Sequence, residues 1–154
     1  MTYKELVNSL IDVVKSHKIV RSVGYGNLTD LVEPLKRENR ASDNIDYEIN
    51  YPYVFINPTA HTLTKNKTTY SFNLIVMEQP KEGTLGTIQA QSECYEYIKD
   101  ILARIYYELD LDFNLNSQVT PFQEKYNDVV AGMTATITIQ VRDPLNDCIT
   151  PFNE

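Results

Sequence analysis

The sequence predicts an α+β domain: a mostly antiparallel sheet of about four to five strands, with an N-terminal helix and one long helix packed on one face. Three observations lead there. In Ala131–Asp143, Met133, Ala135, Ile137, Ile139 and Val141 alternate with Thr134, Thr136, Thr138, Gln140 and Arg142. That period of two is the pattern of a strand with one buried face. Further back, Ile88, Gln91, Tyr95, Ile98, Leu102, Ile105 and Leu109 recur at threes and fours, which draws one apolar stripe down about six helical turns. Finally, the strand-like segments come in adjacent runs instead of alternating with helices, which favours antiparallel pairing.

Each element can be justified in chain order. Thr2-Tyr3-Lys4-Glu5 reads as a capping box, in which Thr2 and Glu5 each satisfy the other's backbone N–H. Leu6, Leu10, Val13 and Val14 then follow at helical spacing, and Lys15 and Lys18 suit a helix C-terminus. A helix to about residue 17 is expected. "KIVRSVGYGNL" is a short strand ending at Gly24 and Gly26. Residues 36–50, "KRENRASDNIDYEIN", form the most polar run and read as a loop, having few apolar groups to offset the entropy of ordering. "YPYVFINP" is a strand apolar on both faces, hence covered on both. "TLTKNKTTYSFNLIVMEQP" returns as its hairpin partner, turning near Lys65-Asn66-Lys67. Gly83 and Gly86 break the chain, and Thr87 is the expected cap of the long helix. "SQVTPFQEKYND" and Ala131–Asp143 make a last strand pair joined through Asn127-Asp128. Residues 144–154, with two prolines, read as an extended C-terminal arm. At 154 residues the chain is a single domain spanning 1–154.

Composition narrows the function classes. The chain is 42% hydrophobic and 23% charged, with a net charge of −7, so it is globular but offers no basic patch for a phosphate backbone. No segment reads as a signal peptide, and none approaches the ~18 apolar residues of a membrane span. Cys94 and Cys148 are isolated, which suits a reducing compartment.

Catalytic patterns fail one by one. Gly24-Tyr25-Gly26 lacks the third glycine of a dinucleotide loop, with Thr29 in its place. Asp110, Asp112 and Asn114 begin like a calcium loop, but Leu115 and Pro121 stand where glycine and glutamate are required. His17 and His61 lie in different elements with no carboxylate pattern, and Cys94 within a helix reads as packing. No catalytic, cofactor or metal site is expected. Tyrosine is abundant, eleven residues with no tryptophan, and serves either as a half-wet rim of the core or at a protein interface.

Several stretches, "VRSVGYGNLTDL", "YPYVFINP", the long helix, "TPFQEKYNDVVAGMTATITIQV" and "DPLNDCITPF", resemble in order the small virion proteins of tailed phages infecting Bacteroidetes, crAss-like phages among them. The layout is similar to the tail-terminator and neck-ring class. The resemblance implies a structural, non-enzymatic subunit of the virion, assembled in the host bacterial cytoplasm. It would form a ring of six or twelve copies where head meets tail and touch adjacent neck, portal or tail proteins. DNA would pass its lumen without specific binding. On this reading Thr134, Thr136, Thr138, Gln140 and Arg142 are the candidate interface, because a neutral polar face can meet a neighbour without burying unpaired charge. The 36–50 loop and the C-terminal arm would order against the next ring.

Two other classes compete. One is a small enzyme or ligand-binding domain with a pocket between long helix and sheet, where Tyr70, His61 and Asp110 would be the residues to inspect. The other is an immunity or adaptor protein that binds one partner through the threonine face.

Overall fold

The computed structural model describes residues 1–31, 50–109, 112–113, 117–125 and 129–145. Elements follow in the order α1 (Tyr3–Lys15), β1 (Ser22–Tyr25), β2 (Tyr53–Leu63), β3 (Lys67–Glu78), α2 (Thr84–Glu108), β4 (Asp112–Phe113), β5 (Val119–Lys125) and β6 (Val129–Arg142). Among the described residues the sheet has six strands in the order β1-β2-β3-β6, with β4 and β5 sharing the far flank of β6. Only β1 is parallel to its neighbour; the other pairs are antiparallel. The α+β class, the antiparallel sheet and the two helices on one face are as the sequence predicts.

α1 starts where the capping box places it. The Thr2 N–H donates to Glu5 Oε2 at 2.6 Å, and the Glu5 N–H donates to Thr2 Oγ1 at 3.2 Å. Its buried stripe is Leu6, Leu10, Ile11 and Val14. The β2–β3 hairpin turns at 64–67, with the Thr64 N–H bonded to the Lys67 carbonyl at 2.9 Å. The chain leaving β6 runs back along this turn: the Asp143 and Leu145 N–H groups donate to the carbonyls of Asn66 and Lys65.

α2 departs from expectation twice. Its N-cap is Gly83, at φ 92°, and Thr87 lies inside the first turn, its N–H donated to the Gly83 carbonyl. Glycine is favoured there because a side chain is strained at positive φ. The buried stripe is also rotated from the one read off the sequence. Ala90, Cys94, Ile98, Ile101 and Ile105 face the sheet, whereas Ile88 and Tyr95 are exposed. α2 carries apolar residues on two flanks, and the sheet takes the flank with small ones. Ala90 and Cys94 let the helix approach β6 closely enough for Cys94 Sγ to reach the Ala131 carbonyl at 3.9 Å. Beside that contact, Gly132 sits so tightly that an added Cβ would lie 1.8 Å from the Val76 carbonyl oxygen.

β4 is a strand where the sequence suggests only a helix end and a turn; Asp112 and Phe113 pair with Gln140 and Ile139. Two residues are too few to show a period. Asp110, Asn114 and Leu115 of the calcium-like run, the 36–49 part of the polar loop, the Asn127-Asp128 turn and the arm beyond Leu145 lie outside the described residues.

Two apolar clusters flank the sheet. The larger fills the space between the helices and the sheet, with Leu6, Leu10, Phe72, Cys94, Ile98 and Ile137 among its members. The smaller lies on the opposite face and joins Leu31, Tyr53, Phe55, Ile75, Met77 and Val130, with Tyr51 and Phe122 packed against them. This explains why β2 is apolar on both faces from Tyr53 to Ile56. After Asn57 the pairing register shifts between Pro58 and Ala60, and from Thr59 to Leu63 the strand is exposed. A bulge beside a proline ends the covered half of the strand.

Candidate interaction face

The face of the sheet away from the helices is divided. Its apolar half is covered by the smaller cluster, and the boundary runs through the Ile75–Thr134 pair of β3 and β6. Beyond that pair the rows are polar apart from Ala60, which lies beside Ser71. Thr136 lies beside Asn73, which lies beside Asn57; Thr138 beside Ser71; Gln140 beside Thr69, which lies beside Thr62. The last row sets Arg142 next to Lys67. Thr134, Thr136, Thr138, Gln140 and Arg142, the residues singled out from the sequence, therefore do share one face, on the sheet's central strand. Thr136 and Arg142 are exposed and the other three half-buried.

The register also assembles what the sequence leaves scattered. Asn57, Thr62, Thr69, Ser71 and Asn73 extend the threonine row into a sheet-wide surface, because side chains directly opposite on paired strands share a face. The chain holds 21 acidic residues; β2, β3 and β6 place none of them here, and β4 sets Asp112 opposite Gln140 at the margin of the face. The hydroxyls and amides are already partly ordered. Thr136 Oγ1 donates to Asn73 Oδ1 at 3.1 Å, Lys67 Nζ donates to Gln140 Oε1 at 2.9 Å, and the buried Asn57 amide donates to the Gly26 carbonyl at 3.0 Å. The uncharged rows of such a surface can exchange hydrogen bonds with water for bonds to another surface at little desolvation cost. At one end a shallow depression of about 470 Å³ lies among Asn66, Lys67, Gln140 and Arg142. The register brings Lys67 and Arg142 side by side in this corner, and neither forms an ion pair among the described residues. The sequence conceals it because the two cations are far apart in the chain.

Three other groupings bear on chemistry. His17, at the end of α1, meets Asp100 of α2, with Nε2 2.9 Å from Oδ2. Its Nδ1 accepts the Ile19 N–H at 3.2 Å, which assigns the proton to Nε2 and makes it a donor to Asp100. No local pattern marks this carboxylate partner, which comes from a different helix. Both ring nitrogens are thereby engaged in holding the α1 terminus on α2, above a cleft of about 350 Å³ that Val13, Lys18 and Arg104 also line. Second, Glu78 at the end of β3 pairs with Glu93 of α2. Burial, then the hydrogen bond to Glu93, push the Glu78 carboxyl up to about 7, and Glu78 Oε2 is buried with no hydrogen-bond partner. Third, His61 and Tyr70 do come together, ring centroids 4.8 Å apart, but under Tyr3 of α1 in an aromatic stack. The space between α2 and the sheet, where a ligand pocket was expected on the enzyme reading, is filled by the larger apolar cluster. Among the described residues, no group of three or more His, Cys, Asp or Glu could hold a metal ion, and no helix is long and apolar enough to cross a membrane.

No protein-family model matches the sequence, and no curated protein matches it significantly.

Proposed function

We propose that this protein is a non-catalytic structural subunit of a tailed-phage virion. It builds a homo-oligomeric ring at the head–tail neck or tail end, in the manner of a tail terminator or an adjacent connector ring. The observation that carries the reading is the hydroxyl- and amide-rich sheet face, to which β2, β3 and β6 contribute no carboxylate, in a chain of net charge −7. A face that merely met water would be expected to carry charges of both signs, as the rest of the surface does. A neutral hydrogen-bonding face suits contact with a neighbouring copy or with the next ring, where a buried lone charge would be costly. The ordered resemblance of sequence stretches to small phage virion proteins supports the same class. The engagement of both His17 nitrogens in helix packing, and the filled space behind the sheet, are in keeping with a protein whose work is assembly.

On this reading the partners are further copies, neighbouring neck, portal or tail proteins, and DNA that slides through the lumen. Light scattering across a concentration series, followed by negative-stain imaging, tests it. Rings of six or twelve copies are expected. Thr136→Glu with Thr138→Glu should leave the monomer folded, as surface substitutions usually change stability by no more than about 0.5 kcal/mol. The same pair should disperse the rings by placing carboxylates in the contact. Rings that form unchanged with both glutamates in place would remove the threonine face from the assembly.

A further inference from the structure

We propose that the outer flank of α2 is a self-association surface that takes a second copy of this chain, with the two α2 helices antiparallel. The flank that faces the sheet is Ala90, Cys94, Ile98, Ile101 and Ile105. A second row runs about a third of a turn round the helix, on the side where Gln91 reaches the Phe122 carbonyl of β5. Its members are Leu85, Ile88, Tyr95, Lys99, Leu102 and Tyr106, with Ser92 completing the spacing. The intervals are three, four, three, four, three and four. That is the heptad seam on which another helix packs, because 3.5 residues per repeat keep such a row facing one partner. Leu85 is 81% exposed, Ile88 54%, Tyr95 41% and Tyr106 42%. Over 25 residues the seam is about 37 Å long.

The charges on the seam say what covers it. Its single cation, Lys99, lies near the middle, with Nζ 5.6 Å from the Tyr95 ring centroid and 3.4 Å from Glu96 Oε2. Two parallel copies in register would set Lys99 against Lys99. Two antiparallel copies set Tyr95 of one against Lys99 of the other, with Glu96 alongside, twice about the two-fold axis. The same alignment layers Ile88 on Tyr106 and Ser92 on Leu102, whose inner side packs on the chain's own core. Each copy thus exchanges an exposed Lys99–Glu96 pair within itself, worth little in water, for the same contact across a dry seam. The adjoining sheet edge favours a helix over an added strand. β5 has Pro121 in mid-strand and Glu124 exposed towards its end, features that discourage edge-to-edge pairing. A two-fold contact is self-closing and differs from the head-to-tail contact that makes a ring, so this inference does not depend on the ring reading.

Sedimentation equilibrium on the full chain tests it. The wild type is expected to show a species of twice the 17.7 kDa chain mass whose share grows with concentration. Ile88→Glu, or Leu85→Glu at the most exposed seam position, should weaken that association about tenfold or more, with the circular dichroism spectrum unchanged. Lys99→Glu should weaken it as well, and the double exchange Glu96→Lys with Lys99→Glu should return it to within about threefold of wild type. A wild-type mass of one copy throughout the series overturns the proposal, as does a dimer indifferent to Ile88→Glu and Leu85→Glu. Failure of the double exchange to restore association overturns the antiparallel alignment. Loss of rings with Thr136→Glu and Thr138→Glu tests the ring reading alone; in that variant a mass of one copy throughout overturns the present proposal, and a dimer supports it.

Discussion

At the scale of single residues, burial decides chemistry. Cys94 is fully buried, and burial first, then the nearby Glu78 and Glu93 carboxylates, push its thiol up to about 12. The thiolate is the reactive form, so Cys94 is expected to resist alkylation in the native protein and to react once the chain is unfolded. Site-resolved mass spectrometry after iodoacetamide treatment, with and without denaturant, checks this. Glu78 makes the opposite point, since a shifted group reports on stability. Its folded pKa of about 7 lies above the ordinary 4.5, so the native state keeps a proton that the unfolded chain releases. The stabilisation is complete below about pH 4.5 and is lost as pH rises through 7. Hydrogen bonds from Gln89 and Glu78 lower Glu93, so its contribution fails only on acidification below the ordinary carboxylate range. The melting temperature of the wild type should therefore fall between pH 5 and pH 8 by more than that of Glu78→Gln, which keeps the shape but cannot ionise. Parallel slopes for the two proteins would contradict the assignment. Gly132 is constrained by space alone. With the Val76 carbonyl where an added Cβ would stand, Gly132→Ala should cost about 3 kcal/mol, the upper end of ordinary overpacking; chemical denaturation measures it.

At the scale of elements, legibility in the sequence followed the number of residues that carry each signal. β6 shows its period over more than a dozen positions, and the structure puts every predicted face residue on the predicted side. The α1 cap was readable because Thr2 and Glu5 sit at a spacing with one meaning. α2 was recognisable as a helix but not in its orientation: two apolar rows compete in the sequence, and only closeness of approach to β6 selects Ala90 and Cys94 over Ile88 and Tyr95. The seam proposed above is the row left over from that competition. β4 was not legible, because a two-residue strand takes its existence from Ile139 and Gln140 of β6 and not from its own composition. The polar face was half legible. Its β6 row stood out, whereas Asn57, Ser71 and Asn73 join it only through register, and the Lys67–Arg142 corner likewise. The His17–Asp100 contact and the Glu78–Glu93 pair link distant elements, and no local pattern announces either.

At the scale of the whole molecule, the sheet separates two environments. One side is a helix-covered core, the other half apolar cluster and half neutral polar field. Charge lies mostly elsewhere, on the outer faces of the helices and in the connections. That separation is what the ring proposal uses, and the paired-glutamate variant described with it is the test at this scale. The antiparallel α2 seam lies on a different flank from the polar face, so the two contacts can be occupied together in one assembly.

The placement of β6 also bears on when the fold can close. This strand is last in the chain yet central in the sheet, with β3 along one side and β4 and β5 along the other. Until it has been synthesised, β3 has an open edge running the length of the strand, and the apolar faces of Phe72, Leu74 and Val76 lack their neighbours. A nascent chain that has reached Lys125 thus holds an amphipathic hairpin and a long helix that cannot yet bury their surfaces together. Such non-local pairing is slow and leaves an edge open to misassociation. Ribosome-bound chains arrested before Val129 should be captured by chaperones and cut by protease, and those extended past Arg142 far less so.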